Sequence, residues 1–102
     1  MFSHESEILR KIRLIESLKA DLVTNVGQLY HGIAKNSHQA IADGLASVVV
    51  SCYILGKRLG IDFSALDEAV SQRIIHCIKH EQEVEKWFGD YSELQRHCRR
   101  KG

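Results

Sequence analysis

From Ile8 to Ile33 the chain reads ILRKIRLIESLKADLVTNVGQLYHGI, and Ile8, Ile12, Ile15, Leu18, Leu22, Val26, Leu29 and Ile33 fall on one stripe within it. Each step is three or four residues. That is the period of an α-helix, and strand alternation does not fit it. One helix of about 28 residues, on the order of 40 Å long, carries the whole stripe. A break near Lys19-Ala20-Asp21 satisfies the pattern equally. Ala34-Lys35-Asn36 ends the segment.

Asn36 and Gln39 stand in the relation of a helix cap to its N3 partner, so a second helix starts near Ser37 or His38. It carries Ile41, Leu45, Val48, Val49, Cys52 and Leu55. The run from Val48 to Tyr53 alone could pass for a buried strand, but the apolar pattern extends from Ile41 to Leu59, too long for one. Lys57 and Arg58 suit the helix C-terminus, and Gly60 the position just past it. Asp62 or Ser64 caps a third segment with the stripe Phe63, Leu66, Val70, Ile74, Cys77 and Glu81, running to about Lys86. Asp90 and Glu93 form another capping box, opening a short helix from Tyr91 to about Arg99. Proline is absent, which permits long helices. The fold expected is all-α, a small antiparallel bundle of three to four main helices plus a short C-terminal helix. Residues 1–102 make one domain, with frayed ends at about 1–4 and 100–102. The helix from Ser37 to Leu59 is apolar on most sides, which places it in the centre of the bundle or in an oligomer interface.

Composition excludes several functions. The 44% hydrophobic and 26% charged residues rule out disorder for the body of the chain. A net charge of +1 gives no field to attract nucleic acid or an anionic membrane. The basic end, Arg96, Arg99, Arg100 and Lys101, reads as a solvated tail. Three scattered cysteines, Cys52, Cys77 and Cys98, make no disulfide framework. Cys52 and Cys77 lie in apolar runs and read as buried small hydrophobes. The N-terminus lacks the features of a signal peptide, and the apolar stretch from Gly44 to Gly56 is too short to span a bilayer. A cytoplasmic protein with neither nucleic-acid nor membrane partners is expected.

One pair of segments carries a resemblance. Thr24-Asn25-Val26-Gly27-Gln28-Leu29 is followed by Asp43-Gly44-Leu45-Ala46-Ser47-Val48, and later by Leu59-Gly60-Ile61-Asp62. In this the chain resembles the MazG-like family of all-α nucleoside triphosphate pyrophosphohydrolases, over roughly Leu18 to Ile78. That family carries Glu-Glu-x-x-Glu on one helix, often within Glu-Glu-Val-Gly-Glu-Leu. It carries Glu-x-x-Asp on the next, often within Glu-Glu-Leu-Ala-Asp-Val. The resemblance implies that those carboxylates hold magnesium, which activates water against a nucleoside triphosphate. It also implies a dimer or larger assembly. The apolar frame is kept here and the acids are not. Thr24, Asn25 and Gln28 fill the first motif, and Gly44 and Ser47 the second. Magnesium wants anionic oxygen and gains little from neutral amides. Without it there is no Lewis acid on the phosphates and no activated water. Asp21 and Asp43 are the residual acids near the site, so no cofactor is expected unless these two form a reduced magnesium site. Thr24, Asn25, Gln28 and Ser47 could instead donate hydrogen bonds to the base or sugar of a nucleotide.

Ala40, Gly44, Ser47 and Ser51 also form a stripe of small residues, with Gly27 as a small spot on the preceding helix. Such stripes let helices approach closely, so the old cleft reads as packing surface. Six histidines offer a second chemistry. His76 and His80 share a helix face and could hold a transition metal if Glu81, Glu83, His97 or Cys98 converged on them. The plainer reading is two solvated side chains. His31, one turn after Gln28, reads as a polar neighbour of the family site. Trp87-Phe88-Gly89-Asp90-Tyr91 reads as a turn packed on the bundle end, with a partner-binding patch as the alternative.

Three functions follow. The first is a MazG-like domain that has lost hydrolysis and keeps a structural, regulatory or binding role, self-associating as a homodimer or higher oligomer. The second is an active magnesium-dependent pyrophosphohydrolase with a reduced acidic site. The third is a histidine-based metal-binding protein.

Overall fold

The computed structural model describes residues 2–80 and 83–101, with side chains from residue 6 onward. It consists of α1 (Phe2–Ala34), α2 (His38–Arg58), α3 (Phe63–Lys79), α4 (Glu83–Phe88) and α5 (Asp90–Lys101). No strand occurs among the described residues, so the chain is all-α. The Val48–Tyr53 run is helical, as its length required.

The chain divides into two compact units, residues 1–63 and residues 64–102. The first is a helical hairpin. Its α1 is continuous over 33 residues, which settles the alternative of a break at Lys19-Ala20-Asp21. Asn25 sits beside Ser51, Leu29 against Gly44 and Gly32 against Ala40. These pairs run in opposite senses along the two helices, so α1 and α2 are antiparallel. The turn between them corrects the sequence reading. Asn36 is not the cap: it takes a left-handed φ of 55°, a conformation that asparagine tolerates better than most residues. Ser37 is the cap, its hydroxyl accepting from the Ala40 amide at 3.2 Å.

The end of α2 follows the sequence closely. Gly60 has φ +92°. Its amide donates to the Lys57 carbonyl at 3.2 Å, and the Ile61 amide to that of Gly56 at 2.8 Å. This crossed pair satisfies carbonyls that a helix end otherwise leaves open. Phe63 then folds back on Tyr53, ring centroids 6.0 Å apart at 68°, with the Lys57 ammonium 5.6 Å from the Phe63 centroid.

Only one face of α2 meets α1. Val49 and Val50 are 53% and 59% exposed, and Leu45 and Ile54 are exposed with them. Cys52, expected to be buried, is exposed on the same uncovered side. The N-terminal part of α1 carries further exposed apolar residues, Ile8, Leu9 and Ile12. Within the 21 residues of α2, an 18-residue window has a mean hydropathy of 1.5, and the helix is long and apolar enough to cross a membrane. The Gly44–Gly56 stretch is thus only the centre of a longer apolar helix.

In the second unit, Ile74 and Cys77 on α3 are buried to 5% and 6% exposure. The helix ends at Lys79 rather than near Lys86. The apolar stripe stops at Ile78 and the residues from Lys79 to Glu83 are all polar, so no buried face extends the helix. Glu81, read as the last member of that stripe and as a metal ligand, lies outside the described residues. Gly89, at φ +67°, separates α4 from α5. The start of α5 is capped differently from the Asp90–Glu93 box. The Glu85 carboxylate accepts from the Ser92 amide at 2.9 Å and from the Ser92 hydroxyl at 2.5 Å. Trp87 and Phe88 do not pack as a turn on the helix ends; they are 73% and 76% exposed.

The Ser92 bonds hold the Glu85 carboxyl below its ordinary range. A depressed carboxyl contributes stability above its unfolded pKa and loses it as pH falls through the folded one. Acidification below the usual glutamate range should therefore loosen the α4–α5 junction. A Glu85→Gln variant should lack most of that acid step when helicity is followed by circular dichroism.

Candidate site between the first two helices

Near the turn, α1 and α2 enclose a groove of about 330 Å³, lined by Asn25, Gln28, His31, Gly32, Lys35, Ala40, Asp43, Gly44 and Ser47. Four of the five positions that the sequence singled out for lost acids meet here: Asn25, Gln28, Gly44 and Ser47. Thr24 does not line it. A second hollow of about 280 Å³ lies further along the pair, lined by Asn25, Ala46, Ser47, Val50 and Ser51.

The backbone geometry explains why the groove forms where it does. A Cβ on Gly44 would stand 2.9 Å from the Leu29 Cα, and one on Gly32 would stand 3.1 Å from the Ala40 carbonyl carbon and oxygen. Both glycines are buried. They draw the helices together. Gly27, the expected small partner of the stripe, has nothing within 4 Å. The register puts Leu29 opposite Gly44, so Gly27 falls off the contact line and Gly32 takes the matching role. The sequence signal for Gly32 was its place just before the turn, where it lies across from Ala40.

The polar groups are partly committed. The Asn25 side-chain amide donates to the Ser51 hydroxyl at 2.6 Å, across the helix pair and partly buried. Ser51, read only as a small residue of the stripe, is thus the fixed partner of a family-site residue. Asp43 accepts from Gln39 at 2.9 Å, one turn before it on the exposed face. His31 and Lys35 bring basic groups to the rim. Lys35 was missed in the sequence because it lies in the turn, outside both motif segments.

Asp21 and Asp43 do not share this groove. Asp43 lines it and Asp21 does not. Asp21 lies eight residues before Leu29 on α1, about 12 Å along the axis at 1.5 Å per residue. Asp43 adjoins Gly44, which sits against Leu29. Magnesium bonds of about 2.0–2.1 Å cannot bridge that separation. Gln28, Ser47 and the Ser51-bound Asn25 are neutral, and Gly44 has no donor. Among the described residues, Asp43 is the one carboxylate lining the groove, so the set offers a magnesium ion a single anionic contact where the family motif offers several.

The histidine pair lies elsewhere. The His76 and His80 rings stack with centroids 4.1 Å apart, inclined by 23°. The proximity of His80, with a smaller cost of burial and the charge of Arg73, lowers the His76 pKa from its ordinary value. Among the described residues, no three or more His, Cys, Asp or Glu gather as a metal cluster. His97 lines a hollow on α5 with Asp90, Glu93, Leu94 and Arg100.

Compared with known proteins, residues 8–91 match the MazG-like family. No curated protein and no solved structure matches the chain. The match spans the hairpin, its groove, α3 and α4.

Proposed function

The chain belongs to the MazG-like family, and on that premise we propose that it is a member without metal-dependent nucleotide hydrolysis, acting as a self-associating structural, regulatory or binding domain. The observation that carries this reading is the composition of the α1–α2 groove. Asn25, Gln28, Gly44 and Ser47 stand where the family resemblance places carboxylates, and they come together in one groove. What they offer is hydrogen bonding without negative charge. A nucleotide held there would be met by the amide of Gln28 and the hydroxyl of Ser47, with Lys35 near the rim. It would be bound and not cleaved, because Asp43 alone is a poor seat for the magnesium that polarises a phosphate and generates hydroxide. Titration calorimetry with magnesium tests this directly. No saturable site is expected. Binding of one ion per chain that disappears in Asp43→Ala would overturn the reading.

Self-association rests on the uncovered apolar surface. Two helices alone seldom bury enough to be stable, and Leu45, Val49, Val50 and Ile54 stay exposed on α2. The occupant we propose is a second copy of the hairpin. A bilayer is a poorer match although α2 is long enough for one. Its neighbour α1 carries Lys19 and Asp21 beside it and is tied to it by the Asn25–Ser51 bond, and charge at membrane depth is costly. Light scattering on the eluted protein should give a mass above the 11.6 kDa of one chain. Val49→Lys should shift it to the monomer. A monomeric wild-type protein, or one that partitions into neutral lipid vesicles, contradicts the proposal.

A further inference from the structure

We infer that His76 and His80 form a two-histidine site for a divalent transition-metal ion of the copper, nickel or zinc type. The pair lies on α3 and the turn after it, in the second unit and separate from the groove. Three features of the geometry support it.

The first is the tautomer of His80. Its Nδ1 lies 3.0 Å from the His76 carbonyl oxygen. A carbonyl only accepts, so Nδ1 carries the proton and donates it. The Nε2 lone pair is then left for a ligand. Histidines that bind metals are held in this way, donating from one nitrogen to a carbonyl or carboxylate while the other binds the ion. The second feature is spacing. The rings are one helical turn apart and stacked at 4.1 Å. Imidazoles one turn apart on the same side of a helix can both reach one ion through bonds of about 2.0–2.1 Å once the rings rotate out of the stack. The third is access. Both side chains are exposed, and an ion can arrive without opening the fold.

The chemistry of the donors limits which ion it is. Neutral imidazole suits copper, nickel and zinc, and offers magnesium nothing. Arg73, one turn before His76, repels a bound cation, which favours ions that bind imidazole most strongly. Among the described residues, Glu83, His97 and Cys98 do not gather with the pair, so these three supply no further ligand. The result is an open two-point site rather than a closed structural one.

Calorimetric titration of the untagged full chain with nickel chloride tests the inference, alongside His76→Ala, His80→Ala and His97→Ala. Circular dichroism checks that each variant keeps its helices. One nickel ion per chain is expected. Its affinity should fall by at least about tenfold in either His76→Ala or His80→Ala, and stay unchanged in His97→Ala. Copper added to the wild-type protein should show two equatorial imidazole nitrogens by electron paramagnetic resonance, a readout that requires no variant to fold. Nickel affinity that survives both single substitutions, no nickel binding at all, or fewer than two imidazole nitrogens on copper would overturn it.

Discussion

Gly44→Leu should lower stability by about 2–3 kcal/mol, a fall in melting temperature of roughly 10 °C or more for a chain of this size. Leucine is a far better helix former than glycine, so propensity alone would raise stability by up to ~1 kcal/mol. The steric term wins because the first added atom already meets backbone. A Cβ at this position stands 2.9 Å from the Leu29 Cα and 3.2 Å from its Cβ. Backbone cannot rotate away as a side-chain tip can, so the two helices must part and the groove opens. Gly27→Ala should do the opposite. Nothing lies within 4 Å of that site, and alanine in a helix interior gains about 0.5–1 kcal/mol over glycine. Thermal melts of the two variants side by side measure both signs. Equal shifts, in either direction, would mean that the α1–α2 contact does not run along the Leu29–Gly44 line.

That pair of glycines also shows where sequence reading succeeds and where it stops. The stripe from Ile8 to Ile33 specified α1, and local chemistry specified its neighbours: Lys57, Arg58 and Gly60 ended α2 where they were expected to. These signals are local, carried by residues within a turn or two of each other. The choice between Gly27 and Gly32 as the close contact is not local. It depends on how far the connecting turn carries α2 before pairing begins, and there the cap falls on Ser37 while Asn36 takes a left-handed turn conformation. The start of α5 failed for a similar reason. Asp90 and Glu93 match a capping box, but Glu85 reaches the Ser92 amide from the preceding helix. No spacing rule within α5 could reveal that.

The candidate site was legible to a comparable degree. The family frame located Asn25, Gln28, Gly44 and Ser47, and these line one groove. Thr24 was placed with them by the motif alone and falls outside it. Lys35 joins from the turn, and Ser51 joins through its bond to Asn25. Their proximity follows from the antiparallel register, which one segment read alone does not contain.

The second large effect is a gain of metal dependence. A triple variant, Asn25→Glu, Gln28→Glu and Ser47→Asp, returns three acids to positions that converge on the α1–α2 groove. Gly44 is left unchanged because Leu29 admits no side chain there. Without metal this variant should be less stable than the parent. Three like charges repel one another, and the Asn25–Ser51 bond is lost. Magnesium at a hundredfold excess over its dissociation constant should return about 2.7 kcal/mol. The parent protein, with neutral groups at these positions, should show no magnesium-dependent shift in melting temperature. A parent that magnesium stabilises as much as the variant would show that the parent groove already holds the ion.

The most direct measurement is turnover of nucleoside triphosphates by the purified protein with magnesium or manganese, beside Asp21→Ala and Asp43→Ala. No turnover across a broad nucleotide panel is expected in any of the three. Hydrolysis by the parent that disappears in the two variants would contradict it, and would place an active centre on the two acids that the hairpin holds about 12 Å apart along its axis.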